Sequence, residues 1–433
     1  LVKIAEELDI PYVAANDSHF ARKEDAKARE AIRSLRFNKW EPMSEYDKEL
    51  YIKTDAELFE ILAKAIGEQH AATAIQNIGL VVVRCNGVMK NSHHYPKFSK
   101  NGNSDELLRK LAYEGIPKRF TKEQWTKEYQ DRLEYELSVI IKMGYSDYHL
   151  IDQDFINFTK KLGYMPEDRY KYLEENMHSM SYEEIVAYVE ADQSNIGYVI
   201  GPGRGSAAGS LVCYLLGITD IDPIKHRLLF ERFLNVERVS MPDIDTDFAN
   251  GYREVAVEYV AKKYGENAVC RIVTKGTAAA RGAIRNVARC LGQIEGHDED
   301  LYNMIADTLA RKIPVKPHET ISAHLDEMQD IIGENPIEAN EILEKAMSIE
   351  GSVIQYGMHA AGVIISDNDD VSDYVPLMLD DKSGKWKCQC DMVESEEAGL
   401  LKMDFLGLRN LNIITETIRM IWKNKGIKIN PDV

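Results

Sequence analysis

Apolar side chains recur every four residues in the segment that follows Thr121. They are Trp125, Tyr129, Leu133, Leu137 and Ile141. This spacing keeps them on one helical face, so the pattern predicts one long amphipathic helix. Thr121 and Gln124 are spaced as in a capping box, which places the beginning of the helix near residue 121. An aromatic stripe of this kind is typical of a core-facing helix, and we assign it no chemistry.

A period of two replaces this pattern in residues 241–248, which read Met-Pro-Asp-Ile-Asp-Thr-Asp-Phe. Asp243, Asp245 and Asp247 alternate there with uncharged residues. Side chains of a β-strand alternate between two faces, so a strand would carry all three carboxylates on one face. Crowded carboxylates repel one another unless cations lie between them, and Mg²⁺ prefers oxygen ligands and substrate phosphates. The run therefore predicts a strand that holds two metal ions for phosphoryl transfer.

Two other interpretations of this run remain open. The acids at positions 1, 3, 5 and 12 of an EF-hand calcium loop would be Asp243, Asp245, Asp247 and Glu254. Phe248, however, stands where the sharp turn of that loop needs glycine. The run could also be a solvated acidic turn, although the apolar spacing and the Val-Ser-Met sequence before it favour a strand.

A glycine-rich loop precedes this strand, with residues 201–211 reading Gly-Pro-Gly-Arg-Gly-Ser-Ala-Ala-Gly-Ser-Leu. Tyr198 to Ile200 predicts a short strand before it, and Ser206 to Leu216 predicts a helix after it. Glycines allow close backbone approach and a helix N-terminus offers free N–H groups, so the loop resembles a phosphate cradle with Arg204 and Ser206 as added donors. It lacks the Gly-Lys-Ser/Thr of a P-loop and the third glycine of a dinucleotide-binding fingerprint. A tight strand-to-helix turn remains the alternative.

A single acid, Asp404, interrupts the strongly apolar run Leu401 to Leu408. A charged side chain in such a run is seldom fully buried unless it is paired or bound to a metal. Asp404 is therefore a candidate metal ligand. A strand-end cap or an ion pair with Lys402 is the alternative.

The formal net charge is −18, yet basic residues cluster in one segment. Arg281, Arg285 and Arg289 are spaced four residues apart, and Lys275 lies just before them. On a helix the arginines would form one basic stripe, which suits a DNA phosphate backbone. A solvated helix face is the alternative. Net charge bears on solubility and encounter, not on fold.

The length of 433 residues allows two or three domains. The six cysteines are scattered, and the lone Cys388-Gln-Cys390 does not predict a zinc site. A reduced, cytoplasmic protein is expected. No apolar run approaches the length of a membrane span and no signal peptide is visible, so we expect no membrane partner.

The motifs above resemble those of the bacterial DNA polymerase III alpha subunits, the C-family of replicative polymerases. The matching residues are Gly201 to Leu211, Glu231 to Asn235, Ser240 to Phe248, Gly276 to Ala280, Ile284-Arg285 and Lys402 to Leu408. The resemblance covers nearly the whole chain. It implies an α+β multidomain fold whose palm, a mixed sheet with helices, is like that of the polymerase β nucleotidyltransferases.

Domain boundaries follow from the resemblance. It implies the C-terminal part of a PHP (polymerase and histidinol phosphatase) β/α domain at 1–100, palm at 101–275 and 351–412, an inserted helical thumb at 276–350, and the start of truncated fingers at 413–433. Residues 165–195 depart from the family pattern and predict a helical surface insertion, with helices at Tyr170 to Met177 and Tyr182 to Val189. Because Leu1 opens inside a helical pattern, we expect a fragment or one product of a split gene.

Site residues are implied motif by motif. The catalytic aspartates, which also hold the metals, would be Asp243, Asp245 and Asp404. Gly205 and Ser206 match the pair that holds the incoming triphosphate in the family, beside Arg204. Active-site cations near the phosphates would be Arg232, Arg238 and Lys402. Asp247 fits the pattern, but the family does not make it a principal metal ligand.

A second metal site is implied near the N-terminus. Pro11 to His19 predicts a strand, and its end resembles the last metal-ligand segment of the PHP domain. Asp17 and His19 would be residual ligands of Zn²⁺ or Mn²⁺. The earlier His-x-His segments are absent from this chain, so such a site is incomplete. A structural strand end with a capping aspartate is the alternative.

The implied function is template-directed DNA synthesis, in which deoxynucleotides are added to a primer 3′-hydroxyl during replication. Asp243 and Asp245 would bridge two Mg²⁺ ions, one of them also held by Asp404. The partners would be primer-template DNA and deoxynucleoside triphosphates, with a sliding clamp and a proofreading subunit in the full-length protein. Two alternatives remain open. One is a metal-dependent phosphoesterase or 3′–5′ exonuclease at Asp17 and His19; the other is a non-catalytic DNA-binding fragment that needs a separate chain for the fingers.

Overall fold

The computed structural model of the chain describes residues 1–37, 42–87, 93–99, 102–237, 242–294, 296–380, 384–429 and 431. The chain divides into two compact units, each made of two separate stretches of sequence. The first unit comprises Leu1–Lys90 and Lys275–Gly357, and the second comprises Asn91–Thr274 and Met358–Val433. Within the described residues, no helix is both long and apolar enough to cross a membrane.

The helices and strands alternate irregularly along the chain. In chain order the helices are α1 (Val2–Glu7), α2 (Ala26–Phe37), α3 (Glu45–Lys48), α4 (Asp55–Ile66), α5 (Glu68–Gln76), α6 (Ile78–Arg84), α7 (Ser104–Arg119), α8 (Lys127–Lys142), α9 (Ser146–Gly163), α10 (Glu167–Asn176), α11 (Tyr182–Glu190), α12 (Leu211–Leu215), α13 (Tyr252–Tyr264), α14 (Ala280–Ile294), α15 (Glu299–Lys312), α16 (Gln329–Glu334), α17 (Pro336–Ile349), α18 (Met392–Glu397) and α19 (Arg409–Lys425). The strands are β1 (Asp245–Ala249), β2 (Val269–Thr277), β3 (Val353–Ile365), β4 (Leu377–Leu379), β5 (Trp386–Cys388) and β6 (Lys402–Leu408).

The first unit is built around a helical core of its own. Helices α14, α15 and α17 supply most of that core, and Ala31 of α2 packs into it. The buried side chains of α14 follow the helical period, as in Ile284, Val287 and Leu291. The predicted strand Pro11 to His19 is wrong. A strand needs a neighbour for its backbone groups, and in the described part of this region only Phe20 and Tyr51 form a bridge.

The second unit contains a six-stranded mixed sheet in the order β1-β6-β3-β2-β5-β4, and the last residues of β2 and the first of β3 are counted with the first unit. Strand β6 pairs parallel with β1 and antiparallel with β3. Strand β5 pairs parallel with β2 and antiparallel with β4. This mixed sheet with many helices confirms the predicted α+β class.

Helix α9 is the central helix beneath β1 and β6. It is buried nearly all round, which is typical of a core helix. The ring of its Phe155 lies 4.6 Å from that of Phe405 in β6 and 6.3 Å from that of Phe248 in β1, measured between centroids. The two strand rings are themselves stacked at 5.3 Å. These three aromatic side chains fix the height of both strands over the helix.

The helices predicted in residues 165–195 are confirmed as α10 and α11, but their prediction as a surface insertion is wrong in one respect. Side chains of both helices are buried in the main core of the unit, including Leu173, Ile185 and Val189. The ring of Tyr170 stacks on that of Tyr252 at 4.3 Å. The segment is therefore an integral layer of the second unit.

The helix predicted from Ser206 to Leu216 is broken at Ser210. A single 3₁₀ turn, Ala207–Gly209, is followed by extended backbone at Ser210 and then by α12. The buried carboxylate of Glu136 accepts hydrogen bonds from the N–H groups of Leu211 and Val212, both at 3.0 Å, and from the Ser210 hydroxyl at 2.8 Å. These bonds satisfy the first turn of α12 and stabilise the break.

The long helix predicted after Thr121 also begins later than expected, at Lys127. Thr121 and Gln124 do form reciprocal side chain–backbone hydrogen bonds, at 2.9 and 3.4 Å. Those bonds close a separate turn before the helix. Leu133 and Leu137 face the core as predicted.

Candidate active site

Strand pairing places Asp404 beside Asp245. The parallel register of β1 and β6 puts the Cα atoms of these two residues directly opposite each other. Neighbouring strands lie about 4.8 Å apart, so side chains on the same face at one register position come into contact range. The register therefore joins two acids separated by more than one third of the chain.

Three carboxylates converge at this point. One oxygen from each of Asp243, Asp245 and Asp404 lies within 4.8 Å of the other two. Asp243 is exposed, Asp245 is partly buried and Asp404 is buried. Among the residues that the structure describes, no other group of three His, Cys, Asp or Glu side chains converges in this way. The sequence predicted these three acids, which we call the aspartate centre.

The EF-hand interpretation is wrong. Asp245 and Asp247 lie in a strand of the sheet. Glu254 belongs to α13, where its carboxylate pairs with Arg271 at 2.6 Å and with Arg253 at 2.6 Å. The acidic-turn interpretation is wrong as well, because β1 is paired with β6 along its whole length.

Lys402 is the cation closest to the aspartate centre. Its Nζ atom donates to Asp404 Oδ2 at 2.7 Å and lies 3.9 Å from Asp243 Oδ1. Burial acts to lower the pKa of Lys402, but the hydrogen bond and charge of Asp404 outweigh it and raise that pKa. The ion pair that was the alternative for Asp404 is therefore present together with the cluster of carboxylates.

The charges and donor atoms of the aspartate centre fit divalent cations. Desolvation by the surrounding protein raises the pKa of Asp243, although most of its side chain is exposed; the charge of Lys402 opposes this shift and that of Asp404 adds to it. The Oδ1 atom of Asp404 is buried without a hydrogen-bond partner. Lys402 and Arg204 do not balance three carboxylates, so negative charge remains. Hard oxygen ligands and excess negative charge are what Mg²⁺ or Mn²⁺ binds.

The glycine-rich loop lies against the same strand. The N–H of Gly201 donates to the Asp247 carbonyl at 2.9 Å, and the N–H of Ala249 donates to the Val199 carbonyl at 2.8 Å. A Cβ atom on Gly201 would lie 3.2 Å from the Asp247 Cβ. Gly205 has φ +64°, and its added Cβ would lie 3.3 Å from Asp245 Oδ2. The close approach at Gly201 and the positive φ of Gly205 therefore favour glycine where the loop passes the carboxylates.

Arg204 brings a second cation to this edge. Its guanidinium is half exposed and lies 3.5 Å from Asp245 Oδ2 and 3.4 Å from Asp247 Oδ1. Burial raises the pKa of Asp247, and the charge of Arg204 opposes that shift. Asp247 thus faces Arg204 and does not join the aspartate centre. Ser206 is partly buried at the beginning of the following 3₁₀ turn.

Two further cations, Arg232 and Arg238, were predicted near the phosphates. Arg232 is exposed at the end of a second 3₁₀ turn, Phe230–Arg232. Leu229, just before that turn, packs closely against Gly209 of the first 3₁₀ turn. A Cβ atom added to Gly209 would lie only 2.7 Å from the Leu229 carbonyl oxygen, so the two turns pack together beside the loop. Arg238 lies outside the described residues.

Sequence reasoning missed two residues of α9 next to the aspartate centre. The Tyr148 hydroxyl accepts a hydrogen bond from the N–H of Ile244 at 3.1 Å. Asp152 is fully buried, and neither of its carboxylate oxygens has a hydrogen-bond partner in the described structure. The available signal was an acid one turn from Tyr148 and one turn from Phe155, on the apolar face of a helix.

The basic stripe belongs to the first unit. Arg281, Arg285 and Arg289 lie on α14, and Lys275 lies in β2. Arg285 pairs with Asp307 of α15 at 2.7 Å. Arg281 is partly buried, and Arg289 is exposed. The stripe exists as a helical face, but one of its charges is balanced within the unit.

Asp17 and His19 form only a pair. His19 Nε2 lies 3.5 Å from Asp17 Oδ1, and both side chains are substantially exposed. Asp17 has φ +47°, which is uncommon for a residue with a side chain. No third His, Cys, Asp or Glu ligand converges on them in the described part of the chain.

Comparison with known proteins identifies relatives of this chain. The model of the bacterial DNA polymerase III alpha NTPase domain matches residues 106–169 and 171–407, and so runs through most of the segment that we treated as an insertion. DNA polymerase III subunit alpha of Aquifex aeolicus is 35% identical over 464 aligned residues, covering 99% of this chain and 36% of the relative. That of Bacillus subtilis is 36% identical over 437 residues, covering 99% and 34%. The chain thus spans about a third of the length of these relatives. On this evidence the chain belongs to the bacterial DNA polymerase III alpha family.

Proposed function

We propose that this chain carries the nucleotidyl-transfer centre of a DNA-directed DNA polymerase of chromosomal or phage replication. The observation that carries the proposal is the register of β1 and β6, which brings Asp404 to the two acids of the 243–245 segment. Three convergent carboxylates beside a glycine-rich loop suit phosphoryl transfer, because that chemistry depends on positioning and on charge neutralisation.

Each residue then has a role in the reaction. Divalent cations held by Asp243, Asp245 and Asp404 would activate a primer 3′-hydroxyl and neutralise the departing pyrophosphate. Gly205 and Ser206 would let the loop backbone approach a triphosphate closely. Arg204 lies against Asp245, Lys402 lies against Asp404, and both cations would attract the phosphates. The fixed positions of these groups lower the entropy cost of aligning primer and nucleotide.

The two units correspond to parts of the polymerase in this proposal. The mixed sheet with α9 is the palm. The helical part of the first unit, α14 to α17, is the thumb, and its basic stripe contacts the phosphate backbone of primer-template DNA. The stretch Leu1–Lys90 is the end of a PHP domain, with Asp17 and His19 as a residual pair.

Partners of the full-length relatives belong to the same proposal. Primer-template DNA and deoxynucleoside triphosphates are the substrates that the centre would bind. A sliding clamp and a proofreading subunit would act through parts of a longer protein. The chain spans about a third of the length of these relatives.

Primer extension tests the proposal. Asp243→Asn removes one ligand charge and keeps the side-chain shape, so nucleotide addition should fall by about 10²- to 10³-fold, equivalent to several kcal/mol of metal-ion catalysis. Circular dichroism should show an unchanged fold, because Asp243 is exposed. Asp247→Asn is the matched control, since it removes a neighbouring carboxylate that lies outside the aspartate centre and pairs with Arg204 among the described residues, and its loss of activity should be far smaller.

Three results would count against the proposal. Extension by D243N at the wild-type rate would remove Asp243 from the chemistry. A wild-type chain that binds duplex DNA but neither binds Mn²⁺ at the aspartate centre nor extends a primer would favour a non-catalytic DNA-binding role. Hydrolysis of a phosphoester that survives in D243N but not in His19→Ala would instead favour the phosphoesterase.

A further inference from the structure

Asp152 is a buried acid that the proposed mechanism does not use. It belongs to α9, its side chain is fully buried, and both carboxylate oxygens lack a hydrogen-bond partner among the described residues. An ionised carboxylate in that state costs many kcal/mol unless a cation or hydrogen bonds compensate it. A buried, unpartnered acid of this kind is uncommon and indicates a ligand or a functional role.

The position of Asp152 is fixed by its neighbours on the same helical face. Tyr148, one turn earlier, accepts a hydrogen bond from Ile244, the residue between Asp243 and Asp245. Phe155, one turn later, packs against Phe405, the residue after Asp404. Asp152 therefore lies between two anchors that hold the two halves of the aspartate centre, on the core side of both strands.

The electrostatic surroundings of Asp152 agree with this placement. Burial raises the pKa of the Asp152 carboxyl group, and the charges of Asp404 and Asp243 raise it further. The Oδ1 atom of Asp404 is also buried without a hydrogen-bond partner. Lys402, the nearest cation, already bonds to Asp404. The described residues thus offer Asp152 no positive partner, whereas cations bound at the centre would provide one.

We propose that Asp152 is a fourth carboxylate of the aspartate centre, whose charge is balanced by the bound divalent cations and which raises their affinity. It acts from the core side, through the field at the cations and at Asp404, and is therefore a positioning residue. The inference rests on the proposed function, because it requires that the centre holds metal ions. A neutral, protonated Asp152 that leaves metal binding unaffected is the competing state.

Calorimetric titration of the 433-residue chain with Mn²⁺ tests the inference. Asp152→Asn keeps the shape of the side chain and removes its charge, so Mn²⁺ affinity should fall by about 10- to 100-fold, as for groups that support metal ligands in other proteins. The matched control is Asp154→Asn on the same helix. The Asp154 carboxylate is bound by Tyr259 and Lys263 instead of facing the centre, so its removal should leave Mn²⁺ affinity unchanged.

Asp243→Asn separates failure of the inference from failure of the proposed function. If the wild type binds Mn²⁺, D243N does not, and D152N binds as the wild type does, Asp152 is a spectator and only the inference is overturned. If the wild type binds Mn²⁺ no more tightly than D243N does, the centre holds no metal and both are overturned.

Thermal unfolding guards against a folding defect. Without metal, D152N should melt no lower than the wild type, because it loses a buried, unpaired acid. With Mn²⁺ its melting temperature should rise less than that of the wild type, in proportion to its weaker binding. Asp152→Ala should show the same weaker rise. If both variants fail to fold without metal, Asp152 is structural and the proposal is overturned.

Discussion

Ionisable side chains of the second unit are accommodated in two ways, by pairing with opposite charges or by burial in the neutral form. In the aspartate centre, the cations Lys402 and Arg204 lie against the carboxylates and offset part of their negative charge. His149, in the neighbouring core, instead gives up its charge. It is fully buried, its Nδ1 atom lies 2.8 Å from the Tyr145 carbonyl, and its Nε2 atom has no described partner. Burial therefore lowers the pKa of His149 to about 4.

A pH dependence of stability follows from His149. The unfolded side chain titrates near pH 6.5 and the folded one near 4. As the pH falls, the unfolded state therefore takes up a proton at His149 before the folded state does. The free energy of unfolding is highest above about pH 6.5 and decreases as the pH falls towards 4. At pH 5 the loss should be about 2 kcal/mol. Denaturant unfolding of the wild type and His149→Phe at pH 7 and pH 5 measures this term.

The comparison between the two proteins isolates the histidine from the many carboxylates that titrate in the same range. Phenylalanine suits the site, because His149 already packs edge-on against the Phe233 ring at 5.8 Å. The free energy of unfolding of the wild type should fall by about 2 kcal/mol more than that of the variant between the two pH values. Parallel profiles for both proteins would show that His149 does not stay neutral in the fold.

At the residue scale, the sequence predicted most of the candidate site. The spacing of Asp243 and Asp245 and the isolation of Asp404 in an apolar run were visible without a structure. Asp152 was not, because its surroundings arise only when α9 packs under β1 and β6. The role of Glu136 was hidden for the same reason, since its partners lie 74 to 76 residues away.

At the element scale, the basic stripe of α14 gives a prediction about DNA. Arg289 is its exposed member, so Arg289→Ala should weaken binding to duplex DNA at every sequence. The slope of log affinity against log salt should become shallower by about 1, the value for one lost phosphate contact. Fluorescence anisotropy over a series of salt concentrations measures both effects.

Lys64→Ala in α4 controls for the loss of one positive charge elsewhere in the same unit. It lies outside the stripe and is exposed, so its salt slope should equal that of the wild type. An unchanged slope in R289A, or an equal change in both variants, would mean that the stripe is only a solvated helix face.

Helices were predictable from the sequence where the period of side chains within a single segment is sufficient to indicate them. The four-residue apolar period after Thr121 became α8, and the four-residue arginine spacing at 281–289 lies in α14. Two features that depend on distant parts of the chain were predicted wrongly. The break at Ser210 requires Glu136 to bind the first N–H groups of α12. The expected strand before His19 forms no ladder among the described residues, because the N–H groups of Ala14 and His19 bond singly to the Ala74 and Leu50 carbonyls.

At the scale of the whole molecule, each unit is assembled from two stretches far apart in sequence. Helix α2 shares a core with α14 and α17, across more than 240 residues of intervening chain. No local pattern specifies such packing, because any amphipathic helix can meet another. The same holds for the pairing of β1 with β6. Only the family resemblance predicted that Asp404 lies close to Asp243 and Asp245 in the folded chain.

The central claim is that Asp404 joins Asp243 and Asp245 in one metal-binding centre. Anomalous diffraction from crystals of the chain grown with Mn²⁺ tests this claim most directly. The account predicts anomalous peaks in contact with the carboxylate oxygens of Asp243, Asp245 and Asp404. It predicts that peaks contacting residue 404 are lost in crystals of Asp404→Asn. Crystals that show Mn²⁺ bound elsewhere but not at these oxygens, or the same peaks in D404N, would contradict it.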